Sequence, residues 1–124
     1  MTDRYSAKRL GFPKSRRLTR GSEFERVRKN GTAQRGRFMV VSALQNDDGA
    51  RFRAGFITSR KIGGAVTRNR VRRKLREIVR THQHEISAGC WLVTIARSSA
   101  ARASYEDLEG EWLRLAKRAS ILAP

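Results

Sequence analysis

Periodicity along this 124-residue chain predicts an α+β fold, one small sheet packed against about three helices. Three observations lead there. Segments 38–44 and 51–58 alternate like strands on either side of a polar turn. A stretch near 68–82 divides into one apolar and one cationic helical face. A further apolar strand at 91–96 runs into a second amphipathic helix that begins at Ser104. At this length one domain is expected: a basic arm over residues 1–20, then a single folded unit over 21–124.

The arm carries Arg4, Lys8, Arg9, Lys14, Arg16, Arg17 and Arg20 against Asp3, and Gly11 and Pro13 break any periodicity. Ser22 and Glu25 have capping-box spacing, Phe24 and Val27 share a face, and Gly31 is a stop, so a helix is expected over 22–30. Phe38, Val40, Ser42 and Leu44 fall on one side of the next strand, with Met39, Val41 and Ala43 on the other. Asn46 to Gly49 form a turn, and Arg51 to Thr58 would return as the second strand of a hairpin, with Phe52, Ala54 and Phe56 on one face. Gly63 and Gly64 sit in the loop that follows, where positive φ is available, and Thr67 is a candidate N-cap. At about 100° per residue, Val71, Leu75, Ile78, Val79 and His82 gather on one side of the long helix and Asn69, Arg73, Arg76 and Arg80 on the other. Ser104 and Asp107 cap the last helix, whose stripe is Tyr105, Leu108, Trp112, Leu115, Ala116 and Ala119.

Composition narrows the function. Lys and Arg number 28 against 11 Asp and Glu, a formal net charge of +17, while 39% hydrophobic residues suffice for a core. A compact chain this positive repels itself and seeks a polyanion whose condensed counterions are released on binding, so nucleic acid is the expected partner. No apolar stretch approaches the roughly 20 residues of a membrane helix, and Met1 to Arg20 lacks the apolar block of a secretory signal. A cytoplasmic protein is expected. Cys90 stands alone, so it can form no internal disulfide and hold no zinc by itself.

From Arg60 to Arg80 nine cationic side chains face a single acid, Glu77. Arg72 with Arg76, Arg76 with Arg80, and Arg70 with Lys74 are like-charged pairs four residues apart, which destabilise a free helix. Arg68 and Arg70 near the helix start also oppose its dipole. A phosphate backbone would offset both, and arginine's planar fork suits phosphate oxygens.

The stretch Ser59-Arg60-Lys61-Ile62-Gly63-Gly64-Ala65-Val66-Thr67-Arg68-Asn69-Arg70-Val71-Arg72-Arg73-Lys74-Leu75-Arg76-Glu77 closely resembles the signature of the bacterial ribonuclease P protein subunit, with Arg68-Asn69-Arg70 at its centre. The resemblance extends over about Arg16 to Lys117. It implies an α/β sandwich with a small mixed central sheet, in which the signature helix joins parallel strands by a left-handed crossover. It also implies an accessory protein to a catalytic RNA, the two together cutting the 5′ leader from precursor tRNA, with Mg2+ held largely by the RNA and no catalytic side chain in the protein. By position, Arg60, Lys61, Arg68, Asn69, Arg70, Arg72, Arg73 and Arg76 would contact RNA. A cleft between the sheet and the first helix would receive the single-stranded leader. Phe24 and Phe38 match its aromatic positions, and Arg28 stands where the family often has a second aromatic, which suggests a phosphate contact there. Either phenylalanine could instead belong to the core, and Asn69 could instead bond the loop backbone.

The remaining groups show no self-contained active site. Asp47 and Asp48 fall in a turn, and Glu106, Asp107, Glu109 and Glu111 surround the start of the last helix, where turn and capping roles account for them. His82 and His84, two apart, lack ligand geometry on a helix; His82 would finish the apolar face and His84 would lie in solvent. A ribosomal or RNA-chaperone protein using the same helix is the alternative, and a DNA-compacting protein a more distant one.

Overall fold

The structure, a computed structural model, describes residues 17–45 and 52–122. Its elements in chain order are α1 (Gly21–Asn30), β1 (Thr32–Arg35), β2 (Met39–Gln45), β3 (Arg53–Ile57), α2 (Ala65–Thr81), β4 (Cys90–Ala96) and α3 (Tyr105–Arg118), with 3-10 turns at Arg60–Ile62, Gln83–Glu85 and Ser98–Arg102. The expected three helices are present, with a four-stranded mixed sheet in the order β1-β2-β4-β3.

The expected hairpin does not form. β4 lies between the two segments, antiparallel to β2 from Met39↔Ala96 to Gln45↔Cys90, and parallel to β3 from Arg53↔Trp91 to Ile57↔Ile95. Six of the seven β4 residues are buried, so this strand gains most from a central place, and the crossover through α2 delivers it there. The turn residues that suggested the hairpin lie outside the described residues. The free edge of β2 is taken instead by β1, a polar strand without alternation that the sequence does not announce.

Each face of the sheet has its own apolar cluster. Met39, Val41, Ala43, Ala54 and Leu92 pack under α2 and α3 with Val71, Leu75, Ile78, Leu108, Trp112 and Leu115. On the opposite face Leu18, Val27, Trp91 and Val93 pack with Phe24, Leu44, Ile57 and Ile95 beneath α1. Thr94, fully buried, accepts a hydrogen bond from Trp112 Nε1 at 3.2 Å, so neither polar group is orphaned.

Two helix starts differ from expectation. α1 is closed by Glu23, not Glu25: its Oε1 accepts from the amides of Thr19 at 2.9 Å and Arg20 at 3.0 Å, and Oε2 from Arg53 at 2.8 Å. Burial opposes this charge, but those hydrogen bonds prevail and hold the carboxyl below its ordinary 4.5. Glu25 lies outside and pairs loosely with Arg28. α2 begins at Ala65 with Gly64 as N-cap, three residues before the expected start at Arg68 behind a Thr67 cap. Ser104 caps α3 as expected, accepting from the Asp107 amide at 3.0 Å. Arg17 and Leu18, expected in the arm, border the sheet: the Leu18 amide donates to the Ala54 carbonyl at 2.9 Å and Leu18 is buried.

Gly31 ends α1 with φ −90°, an ordinary value, so its need for glycine is spatial: a Cβ there would lie 2.5 Å from the carbonyl oxygens of Ala43 and Val27.

His82 caps α2 and ties it to α3. Nδ1 is 2.7 Å from Glu85, Nε2 is 2.8 Å from Glu109, and the ring stacks on Trp112. Both nitrogens can donate only in the imidazolium. Burial opposes that charge, but the hydrogen bonds to Glu85 and Glu109 and their charges outweigh it, so His82 titrates above its ordinary 6.5. A base held above its unfolded value stabilises the fold fully at pH below that value, and the gain is lost as pH rises through the folded value. The urea midpoint is therefore expected to fall as pH rises above about 6.5 and on through the folded value, and His82→Asn to flatten that fall. An unchanged profile in the variant would place the pH dependence elsewhere.

Candidate nucleic-acid interface

The apolar half of α2 is as expected: Val71, Leu75, Ile78 and Val79 are each at most 1% exposed. The opposite half belongs to the cations, and the preceding loop sets where that half begins. Gly63, with φ 148°, closes the Arg60–Ile62 turn through its amide to the Arg60 carbonyl. A side chain is rarely tolerated at that φ, whereas Gly64, φ −73°, does not use its freedom. Ile62 is buried and anchors the loop, leaving Arg60 and Lys61 exposed beside it.

The cationic side chains take three directions. Arg70 and Arg73 are exposed and, with Val66, Asn69 and Lys74, line a shallow hollow. Lys74 also donates to the Ala103 carbonyl at 3.3 Å, tying α2 to the turn before α3. On the other flank Arg72 donates to Thr58 Oγ1 at 2.6 Å and to Asn69 Oδ1 at 3.2 Å. Asn69 therefore orients a guanidinium, a part that neither expectation for it included. Arg68 donates to the Gly63 carbonyl at 3.3 Å and braces the loop. Arg80, expected on the open face, is paired with Glu77 through both guanidinium nitrogens in reach, and that hydrogen bond raises its pKa further. The pair leaves the stretch from Arg60 to Arg76 without an acid of its own.

Arg76 is the electrostatically strained member. Burial first, then the charges of Arg17 and Arg72, push its pKa below the ordinary value, and its buried Nε has no hydrogen-bond partner. Arg17, Arg72 and Arg76 converge on a hollow of about 290 Å3 that wraps the edge of β3, bounded also by Phe24 and Gly55 and by no carboxylate. Arg17 joins this group only because residues 17 and 18 run beside Ala54. Three guanidinium groups around one cavity repel one another, and a phosphate between them would attract all three and offset that repulsion.

Phe24 divides that hollow from a second one of about 150 Å3 between α1 and the sheet, lined by Glu25, Arg28, Ser42, Ile57, Val93 and Ile95. Gly55 makes room for the ring: a Cβ there would stand 2.4 Å from Phe24 Cε1 and 2.6 Å from Cζ. The ring is half-buried against the α1 cluster and also walls both hollows, so it is at once core and cleft. Arg28 is exposed at the rim.

Phe38 is not brought together with Phe24 and Arg28. It precedes β2 in a tight turn, which takes it out of the strand alternation that grouped it with Val40, and its ring packs with the α2–α3 cluster. The turn is held by Glu111, which is 3% exposed. Its carboxylate accepts from the amides of Arg37 at 2.7 Å, Phe38 at 2.7 Å and Met39 at 3.1 Å. The capping role expected for Glu111 is replaced by this one. Its place in the middle of an apolar helical face, one residue before Trp112, is the signal that would have found it. Glu109 likewise serves His82.

Cys90 is buried and its thiol is pushed up to about 11 by that burial. Among the described residues no group of three or more His, Cys, Asp or Glu is placed to hold a metal, and no helix is long and apolar enough to cross a membrane.

Comparison with known proteins agrees with this architecture. Residues 12–120 match the family model described as Ribonuclease P. The ribonuclease P protein component of Halalkalibacterium halodurans is 39% identical over 111 residues, covering 90% of this chain and 93% of the relative. That of Syntrophomonas wolfei is 36% identical over 111 residues, covering 89% and 92%. Among solved structures, the RNase P protein of Staphylococcus aureus superposes with a TM-score of 0.81 at 28% identity, covering 88% of this chain and 99% of that one. That of Thermotoga maritima gives 0.74 at 29% identity, covering 82% and 96%.

Proposed function

The chain belongs to the ribonuclease P protein family, and we propose from this that it assists a catalytic RNA in removing the 5′ leader of precursor tRNA, α2 gripping the RNA while the groove around Phe24 takes the leader. The observation that carries the reading is the continuity of the two surfaces. The Arg17, Arg72 and Arg76 guanidiniums lie at the edge of β3, between the cationic half of α2 on one side of the sheet and the Phe24 hollow on the other. A single strand leaving the ribozyme would meet phosphate-binding groups at the edge, then an aromatic ring, then the Arg28 rim.

Arg60, Arg70 and Arg73 are assigned to the catalytic RNA, with Lys61 beside them; Arg68, Arg72 and Asn69 shape the loop and orient the guanidinium row. Bond cleavage, and the Mg2+ it uses, are assigned to the RNA subunit. Supporting this, the chain's well-placed acids are committed to its own fold: Glu23 to Arg53, Glu109 to His82, Glu111 to the turn before β2. The contribution to rate is binding and positioning. The cytoplasm, where transcripts are matured, is the corresponding location.

Reconstitution with the catalytic RNA tests this. Accurate 5′ maturation is expected at physiological magnesium, with precursor tRNA bound more tightly than mature tRNA. Gly55→Val should push the Phe24 ring out of its seat and remove most of that preference while leaving the affinity for the catalytic RNA unchanged. Equal affinity for precursor and mature tRNA in the native complex would sink the leader assignment.

A further inference from the structure

The largest hollow among those described lies away from the Phe24 groove, where the ends of β3 and β4 meet the turn before β2. It has a volume of about 570 Å3 and is bounded by Arg37, Phe38, Lys61, Ser98 and Arg102, with Asp107 as the one acid on its rim. Arg37 and Arg102 lie outside the signature stretch and belong to none of the contacts assigned above.

The turn that presents Arg37 and Phe38 is held from four directions. Buried Glu111 accepts three consecutive amides, the Gly36 amide donates to Met39, Arg97 donates to the Gly36 carbonyl at 3.0 Å, and Ser99 Oγ donates to the Arg37 carbonyl at 2.6 Å. Even the glycine is required, since a Cβ on Gly36 would stand 2.5 Å from the Glu111 carboxyl carbon. The backbone is thus over-determined, while the Arg37 side chain it carries is exposed, with its guanidinium 5.3 Å from the centre of the Phe38 ring. An arginine backed by an aromatic ring, with Lys61 and Arg102 across the hollow, suits an unpaired nucleotide: a base against the guanidinium plane and flanking phosphates on the cations.

We infer that this hollow seats an unpaired nucleotide of the catalytic RNA, extending the α2 interface to a second site on the same face of the molecule. The occupant is assigned to the catalytic RNA and not to the leader because Lys61 makes the hollow continuous with the loop before α2, whereas Phe24 and Arg28 lie on the opposite face of the sheet. The inference rests on the ribonuclease P reading above.

The test uses the full chain with its catalytic RNA. Arg37→Gln with Arg102→Gln is expected to weaken binding to that RNA about tenfold, through the lost base stacking and one lost phosphate contact, and to lower the slope of log affinity against log salt by about 0.7, the phosphate neighbour of Arg102. The preference for precursor over mature tRNA should be unchanged, and the melting temperature should confirm folding. Independently, Arg102→Cys carries a photo-crosslinker cleanly, because the native Cys90 thiol is buried, and it should crosslink to an unpaired segment of the catalytic RNA. Crosslinks to the leader, or a lost precursor preference with unchanged RNA affinity, would overturn the inference. Unchanged RNA affinity in this double variant, alongside weakened binding in an Arg70, Arg73 and Arg76 variant, would also overturn it and leave the broader reading standing. If that α2 variant too were unaffected, the broader reading would fail first.

Discussion

Replacing Arg70, Arg73 and Arg76 together by glutamine should weaken binding to the catalytic RNA by a factor on the order of 10² to 10³ at physiological salt, and lower the salt slope by about 2 to 3. The choice follows the geometry. Arg70 and Arg73 are exposed, and Arg76 converges with Arg17 and Arg72 on the β3 edge, whereas Arg68 and Arg72 also brace the loop and Thr58. The same substitutions should stabilise the free protein, because Arg76 is repelled by Arg17 and Arg72 and its buried Nε has no partner. Opposite signs for free stability and RNA affinity are the signature sought, measured by urea denaturation and by filter binding across salt. A variant that loses both would mean that these side chains are structural.

Glu111→Ala is expected to be the most damaging single substitution to folding. It leaves three backbone donors without an acceptor, one of them, the Met39 amide, fully buried, and a loss of about 3 kcal/mol or more follows. With total stabilities of about 5–15 kcal/mol, that is a large fraction. Glu111→Gln, which keeps the shape and one acceptor oxygen, should lose less. Equilibrium denaturation of the three proteins in the same phosphate buffer checks the order. Equal stability of native and Ala proteins would mean that water replaces the carboxylate without penalty.

The features that local chemistry controls were legible in the sequence. The apolar side of α2, the Ser104 cap, the stripe of α3 and the buried character of β4 each follow from residues within a turn or two of one another. What could not be read depends on distant partners. The choice of β4 over β3 as the neighbour of β2 is made across some fifty residues, and a polar turn between two alternating segments imitates a hairpin. β1 has no alternation because it is an exposed edge. Glu23 displaces Glu25 as the closing acid because Arg53, thirty residues on, is there to pair with it.

At the interface the signature located the cationic side chains, but not what each does. Asn69 and Arg72 hold each other, Arg80 is occupied by Glu77, and Arg17 is recruited from the segment before α1. The resemblance pairs Phe38 with Phe24 by position, but Phe38 stands in the turn before β2 that Glu111 holds and packs with the α2–α3 cluster, whereas Phe24 packs with the α1 cluster.

The placement of β4 also governs when this chain can become a protein at all. Both neighbours of β4 wait for a strand that is translated after them, so a nascent chain paused before residue 90 carries β2 and β3 without the partner that they share. Its most cationic helix is by then already synthesised, and it emerges on the ribosome, itself built largely of RNA, before the sheet that will orient it exists.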